Sequence, residues 1–208
     1  ADGGYHLMGC MLSAASCNKW LCEEILKTSD FAGEQADITD EKLGENHVYF
    51  LPYLMGERSP INDTNARGTF IGMTMDTTRS DLVQAVLEGV AFAIRDSFEV
   101  ARSLGLDIPS TKICGGGSKS PLWRTIFANV LGIPLELLKT EQGPGYGGAM
   151  LAMVGCGQYE SVQAAADALV EVAGRVEPDP ELTARDEARY QQFRKIYPAC
   201  RELFTEFA

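Results

Sequence analysis

Ile113-Cys114-Gly115-Gly116-Gly117-Ser118-Lys119-Ser120-Pro121-Leu122-Trp123 is the stretch on which the reading of this chain turns. The apolar pair at its start, after Thr111-Lys112, closes a short strand. Three glycines break that strand. Ser120 then makes a good N-cap, and Pro121 falls at the first helical position, where a missing N–H costs nothing. Two readings stay open. A turn without side chains lets a backbone approach a ligand, and the amides of a helix start suit a nucleotide phosphate or ribose. The plainer reading is a tight strand-to-helix junction in which Ser120 only caps. A P-loop is excluded, because that motif needs Gly-Lys-Ser/Thr and here Lys119 follows Ser118.

Working outward, the long element is a helix from Arg79 to about Leu104. Thr78 and Asp81 form a capping box, Gly105 supplies the stop, and Leu82, Val86, Val90, Ala93 and Ile94 mark its apolar stripe. At 1.5 Å per residue it spans roughly 38 Å and must cross the whole domain. Ile133–Leu138 reads as a strand, and Gly143-Pro144-Gly145-Tyr146-Gly147-Gly148 opens a helix to about Val154. That glycine run fits G-x-G-x-x-G, with Asp167 nineteen residues on. Asp167, however, falls in an Ala-rich helical tract instead of ending a second strand, so a dinucleotide site is rejected in favour of close helix–strand packing through glycine. A helix covers Ser161 to Val172, and a last one follows Pro180 to Phe207, bent near Pro198. Upstream, Tyr5–Met11 reads as a strand and the next helix runs to about Lys27. Residues 28–46 form an acidic loop with one short helix. His47–Leu51 reads as a buried strand, and Thr69–Met73 as another beyond an irregular loop.

The 208 residues carry 18 basic and 29 acidic side chains, a net charge of −11. That balance argues against nucleic-acid or anionic-membrane partners, which need a clustered positive field. No apolar run approaches the ~18 residues needed to span a bilayer. The 45% apolar content is that of a globular domain. Six cysteines (10, 17, 22, 114, 156 and 200) show no zinc spacing and read as reduced, cytoplasmic core thiols. The opening Ala1-Asp2-Gly3-Gly4-Tyr5 lacks an initiator Met and a signal-peptide pattern, so a chain cut from something longer is expected.

At these residues the chain resembles the C-terminal half of the FGGY carbohydrate kinases. The resemblance rests on Met11-Leu12-Ser13-Ala14-Ala15-Ser16-Cys17, Phe50-Leu51-Pro52-Tyr53-Leu54-Met55-Gly56-Glu57-Arg58-Ser59-Pro60 and Ala85–Ala93, then on Gly115–Arg124 and Gly143–Ala149, in the family's order. Through the Gly56–Pro60 loop and the Ser-Ala-Ala-Ser-Cys junction it is most similar to the xylulose-phosphorylating members.

The resemblance implies an α/β, actin-like and ribonuclease H-like domain spanning 1–208, incomplete at its N-terminus and lacking the catalytic N-terminal domain. It implies ATP with Mg²⁺ as cofactor. Gly115, Gly116 and Gly117 match the glycine turn beside the adenosine and phosphates, and Ser120 matches a contact to the base. Ala15 and Lys19 match a second nucleotide contact, with Lys19 departing from the amide of glycerol kinase relatives. Glu57, Arg58, Asp63 and Arg67 match a structural loop that meets the other domain. No residue matches the family's catalytic aspartate, its sugar contacts or most of its metal site, so no catalytic or metal residue is assigned and the chain alone is expected to be inactive. The parent enzyme would transfer the γ-phosphate to D-xylulose, giving xylulose 5-phosphate. The alternatives are a ribulose, gluconate or glycerol type of kinase, or a non-catalytic interaction module on the same scaffold. A sheet edge left unpaired by the absent hairpin implies self-association, a homodimer.

Overall fold

A computed structural model describes Gly3, residues 5–140 and residues 143–207. The opening Ala1, Asp2 and Gly4, on which the expectation of a cut chain rests in part, lie outside the described residues. Tyr5–Met11 has no regular structure, where a strand is expected. Among the described residues no strand pairs with it, and a lone segment has no ladder of backbone partners to hold it extended.

Helix α1 (Ser16–Trp20) continues as a π-helical turn (Leu21–Ile25). The acidic stretch holds the short helix α2 (Phe31–Gln35), capped by Asp30, whose carboxylate accepts from the Gly33 amide at 2.9 Å. A 3₁₀ turn follows at Asp40–Lys42. Strands β1 (Tyr49–Leu51) and β2 (Thr69–Ile71) form an antiparallel pair.

Helix α3 (Arg79–Ser103) starts with the expected capping box: Thr78 Oγ1 accepts from the Asp81 amide at 3.2 Å, and the Asp81 carboxylate accepts from the Thr78 amide at 2.8 Å. The structure buries more of this helix than a single stripe, since every residue from Val83 to Ala93 is inside. A helix surrounded on all sides must satisfy its polar members internally. Gln84 Nε2 donates to Lys42 O at 2.9 Å and to Glu88 Oε1 at 2.7 Å, and Glu88 pairs with Arg189 at 2.6 Å.

Strand β3 (Thr111–Ile113) leads through a 3₁₀ turn (Gly116–Lys119) into α4 (Pro121–Leu131), which ends at Gly132 in the left-handed region, φ 64°. Strand β4 (Leu135–Leu138) lies parallel to β3. Helices α5 (Gly143–Gly155) and α6 (Val162–Leu169) follow. Then comes β5 (Val172–Val176), antiparallel to β4. The expected helix to Val172 therefore stops short, and β5 is an element the sequence reading lacks. Five residues including Gly174 and Arg175 have no clear period of their own, and pairing with β4 decides their state. The sheet order β3-β4-β5 leaves β3 paired on one side.

The last helix, α7 (Pro180–Glu206), runs through Pro198 as one element. The core is a continuous cluster in which α3 meets β1, α4 and α7, with Phe50, Leu87, Phe92, Trp123, Tyr190 and Phe193 among its fully or nearly fully buried members. Two expectations are corrected. Cys17 and Cys22 are buried, but Cys114 and Cys156 are exposed and belong to no core, although all six thiols are free. A Cβ added to Gly145, Gly147 or Gly148 would meet no atom within 4 Å, so close packing is not what these glycines serve among the described residues. No helix of the described residues is long and apolar enough to cross a membrane.

Candidate functional site

Ser120 is where sequence and site meet. Its Oγ accepts from the Trp123 amide at 3.1 Å, which caps α4, and donates to Gln35 Oε1 at 2.6 Å, which ties α4 to α2. Between the two helices and α1 opens a cleft of about 810 Å³. Phe31, Ala32, Leu122 and Trp123 give it apolar walls, and Ala15, Lys19, Gly116, Gly117 and Ser120 all line it. The expected site residues are thus brought together from distant parts of the chain. Gly115 is the exception: it lines a second, adjoining cavity of about 360 Å³, shared with Ala15, Gly116 and Gly117.

The glycine turn is built by local chemistry. Gly115 sits at φ 87°, ψ −174°, a conformation closed to residues with a Cβ. Its carbonyl accepts from the Ser118 amide at 3.1 Å and from Ser118 Oγ at 2.7 Å, and the Ser120 amide reaches Gly117 O at 3.3 Å. Arg124 Nε donates to Ser118 O. The amides of Ser118, Ser120 and Trp123 therefore have partners inside the chain. The expected outward array of helix-start amides is in part committed, and the shape of the cleft says more about a ligand than the amides do. A Cβ at Gly116 would project into open space, whereas one at Gly117 would meet the Trp123 ring at 3.0 Å. Trp123 is held in turn, its Nε1 donating to Leu87 O at 2.9 Å.

On the opposite wall, Ala15 precedes α1 and Lys19 lies within it. The Lys19 side chain is 67% exposed and its ammonium stands 3.8 Å from Glu23, so the charge at this wall is shared and solvated. The wall made by Phe31, Ala32, Gln35 and Ala36 is missing from the sequence reading. The short helix expected in the acidic stretch 28–46 is this one, and the signal for its place is Asp30 as N-cap before Phe31-Ala32; its part in the cleft is what the sequence does not announce.

The loop with Glu57, Arg58, Asp63 and Arg67 stands away from the cleft wall. Glu57 is buried, and burial raises its carboxyl above the usual carboxylate range although the Arg58 and Leu12 amides act the other way. Asp63 accepts from the Tyr197 hydroxyl at 2.7 Å, which holds its carboxyl below the usual range. Arg67 donates to the carbonyls of Thr64 and Ala66, both at 2.9 Å. Burial and the charge of Glu57 push the Cys17 thiol up to about 12, so it stays protonated. Among the described residues no three His, Cys, Asp or Glu side chains stand together as a metal-binding group.

A match to known proteins covers the same elements. Residues 1–156 match the model of the FGGY family of carbohydrate kinases, C-terminal domain. A xylulose kinase of Staphylococcus epidermidis is 32% identical over 202 residues, 97% of this chain and 41% of that protein. A glycerol kinase of Streptococcus agalactiae is 28% identical over 205 residues, again 97% of this chain and 40% of that protein. The crystal structure of a xylulose kinase from Brucella ovis superimposes with a TM-score of 0.84 at 35% identity, over 94% of this chain and 40% of that one. The chain thus spans about two fifths of the length of the relatives it matches.

Proposed function

The chain belongs to the FGGY family of carbohydrate kinases, and on that premise we propose that the cleft between α1, α2 and α4 holds the adenosine end of ATP. In this reading residues 1–208 are the nucleotide-side domain of an actin-like kinase whose remaining part binds the sugar. The whole protein would move the γ-phosphate of ATP onto a hydroxyl of D-xylulose, leaving ADP and xylulose 5-phosphate. One observation carries the nucleotide half: Ala15, Lys19, Gly116, Gly117 and Ser120 line a single cleft of about 810 Å³ with apolar walls and a polar rim. A purine is flat and apolar on its faces and polar at its edges, which fits that lining. Similarity to xylulose kinases supports D-xylulose as the sugar, and similarity to a glycerol kinase makes glycerol the competing acceptor.

Phosphoryl transfer depends on positioning and charge stabilisation, with a divalent ion such as Mg²⁺ supplying positive charge at the phosphates. The part of this chain is to bind and orient. Phe31, Leu122 and Trp123 exclude water from the base, the Ser120–Gln35 pair offers hydrogen bonds at its edge, and Gly116 leaves room for the ribose. Lys19 adds a solvated positive charge. Since the chain itself offers no catalytic residue in this reading, a coupled ADP assay on it with D-xylulose is expected to read background.

Titration with a fluorescent ATP analogue tests the nucleotide half. Binding that excess ATP displaces is expected, and Gly116→Trp, whose Cβ starts in open space at the cleft wall, should abolish it. Undiminished binding by that variant overturns the assignment. For the sugar, the whole protein should turn over D-xylulose faster than glycerol or gluconate; the reverse order replaces xylulose with the better substrate.

A further inference from the structure

Glu57 is a carboxylate buried to 3% exposure in a loop that touches no ligand cavity described above. Its Oε1 accepts from the Arg58 amide at 2.7 Å, within its own loop, and from the Leu12 amide at 3.1 Å, forty-five residues away. Its Oε2 is buried without a hydrogen-bond partner. A buried carboxylate with half its acceptors unused is costly, and an apolar residue would fill the space more cheaply. Its retention calls for a reason, and the segment it grips supplies one.

That segment, Cys10–Ser13, is the approach to α1. It has no regular structure and no strand beside it. Directly after it, Ala14 adopts φ 31°, a left-handed conformation disfavoured for a residue with a Cβ. The next residue is Ala15, on the cleft wall, and Lys19 follows one helical turn later. Among the described residues two polar contacts tie Cys10–Leu12 to the loop: Leu12 N to Glu57 Oε1, and Ser59 N to Cys10 O at 3.0 Å. The loop is itself anchored. Glu57 and Asp63 exchange backbone hydrogen bonds at 2.8 and 2.9 Å, and Tyr197 of α7 donates to Asp63 at 2.7 Å. A rigid chain of contacts thus runs from α7 through Asp63 and Glu57 to the turn that sets the direction of α1.

We infer that Glu57 is a positioning residue of the cleft: by holding the Leu12 amide it fixes the strained Ala14 turn and keeps Ala15 and Lys19 facing the glycine turn. A charged acceptor makes a stronger hydrogen bond to an amide than a neutral one, which is what a strained turn with few other contacts requires. The inference rests on the reading of this cleft as a nucleotide site, and the two can fail separately.

The test uses this chain with three substitutions. Glu57→Ala removes the acceptor, Glu57→Gln keeps a carbonyl oxygen where Oε1 sits, and Ile196→Ala removes buried packing in α7 as a control for general destabilisation. Kd for the ATP analogue is measured below the melting transition of all four proteins, together with amide hydrogen exchange. Glu57→Ala should weaken binding about tenfold, the loss of one charge-assisted hydrogen bond. It should also speed exchange at Ser16 and Cys17. Glu57→Gln, which keeps the acceptor without its charge, should recover part of both, and Ile196→Ala should leave both unchanged. Equal Kd and equal exchange in Glu57→Ala and the parent overturn the inference, as does an effect of the same size in Ile196→Ala. If the parent binds no nucleotide, the proposed function fails, and the exchange at Ser16 and Cys17 still decides what Glu57 does.

Discussion

Gly89 and Gly115 both do without a Cβ, for opposite reasons. In the middle of α3, a Cβ on Gly89 would sit 2.2 Å from the carbonyl oxygen of Phe50, because the helix crosses β1 with backbone against backbone. At the cleft, a Cβ on Gly115 would touch nothing, and the residue is glycine because its φ is 87°. One glycine is demanded by neighbours and the other by its own dihedral. The same contrast holds for the regions around them. The framework of α3, β1 and α7 is dry, charged where it must be, and intolerant of change. The cleft is open, with exposed groups and walls from three elements that meet mainly through side chains.

The largest expected effect lies in the framework. Glu88 and Arg189 pair at 2.6 Å with 2% and 8% of their side chains exposed, and the guanidinium stacks 4.5 Å from the centre of the Tyr49 ring. Glu88→Ala would strand a buried cation. The expected loss is about 3–5 kcal/mol of unfolding free energy, measured by urea denaturation. Nucleotide affinity, measured where the variant is still folded, should not change. A loss below about 1 kcal/mol would mean that water reaches Arg189 and that the framework is less dry than its burial indicates.

Asp186, buried beside this pair, offers a pH-dependent test of the same idea. Burial, and secondarily the charge of Glu88, push its carboxyl up to about 7, with Arg189 and Arg95 acting the other way. The folded value lies above the unfolded one of about 3.9. Its contribution to stability is therefore complete below pH ~4 and lost as pH rises through about 7. Asp186→Asn cannot ionise and escapes that loss. The difference in melting temperature, variant minus parent, should grow in favour of the variant from pH 5 to pH 8. It should be smaller than the Glu88→Ala effect, because two arginines remain to offset the charge. A difference that is flat with pH would show that Asp186 titrates as an exposed carboxylate does.

Gly89→Ala comes next. Backbone cannot yield as a flexible side chain can, so α3 must shift off β1, at a cost of about 1–3 kcal/mol. For a domain of this size about 1 kcal/mol moves the melting temperature by some 2–4 °C, so a calorimetric scan resolves the loss. No change would mean that α3 and β1 slide past each other freely.

These two glycines also mark what could be read from the sequence. Gly115–Gly117 announce themselves, because three glycines before Ser-Pro break a strand and start a helix by rules that act within a few residues. The capping box at Thr78 and Asp81 and the strand character of Thr111–Ile113 and Leu135–Leu138 follow from equally local patterns, whereas the pairing of the two strands does not. Gly89 carries no such mark: it sits inside a helical period as any small residue would, and only the crossing of β1 gives it a task. The same holds for β5, whose five residues become a strand because β4 offers them partners. The cleft divides along this line. Its glycine and Ser120 side is written locally, while the α2 wall depends on Gln35 meeting Ser120 across 85 positions, which no local pattern encodes. Glu57 is the extreme case, a buried acid in a polar loop whose long-range partner is an amide forty-five residues upstream.

Gly115→Ala, the counterpart of Gly89→Ala, should cost less than it in stability and more in function. The added methyl meets no atom, so no packing is lost, and the cost is the dihedral strain of a side chain at φ 87°, near the lower end of about 1–3 kcal/mol. That strain can relax only by rotating the turn, and the turn carries Gly116 and Gly117, which line the cleft. Two consequences follow, with opposite weights from those at Gly89. The melting temperature should fall by only a few degrees, less than for Gly89→Ala. Affinity for the ATP analogue should fall severalfold, whereas in Gly89→Ala it should hold. Measured side by side, the two variants separate the roles: equal effects on affinity would mean that the glycine turn and the helix crossing are one mechanical unit, and that the open cleft and the dry framework are not distinct regions after all.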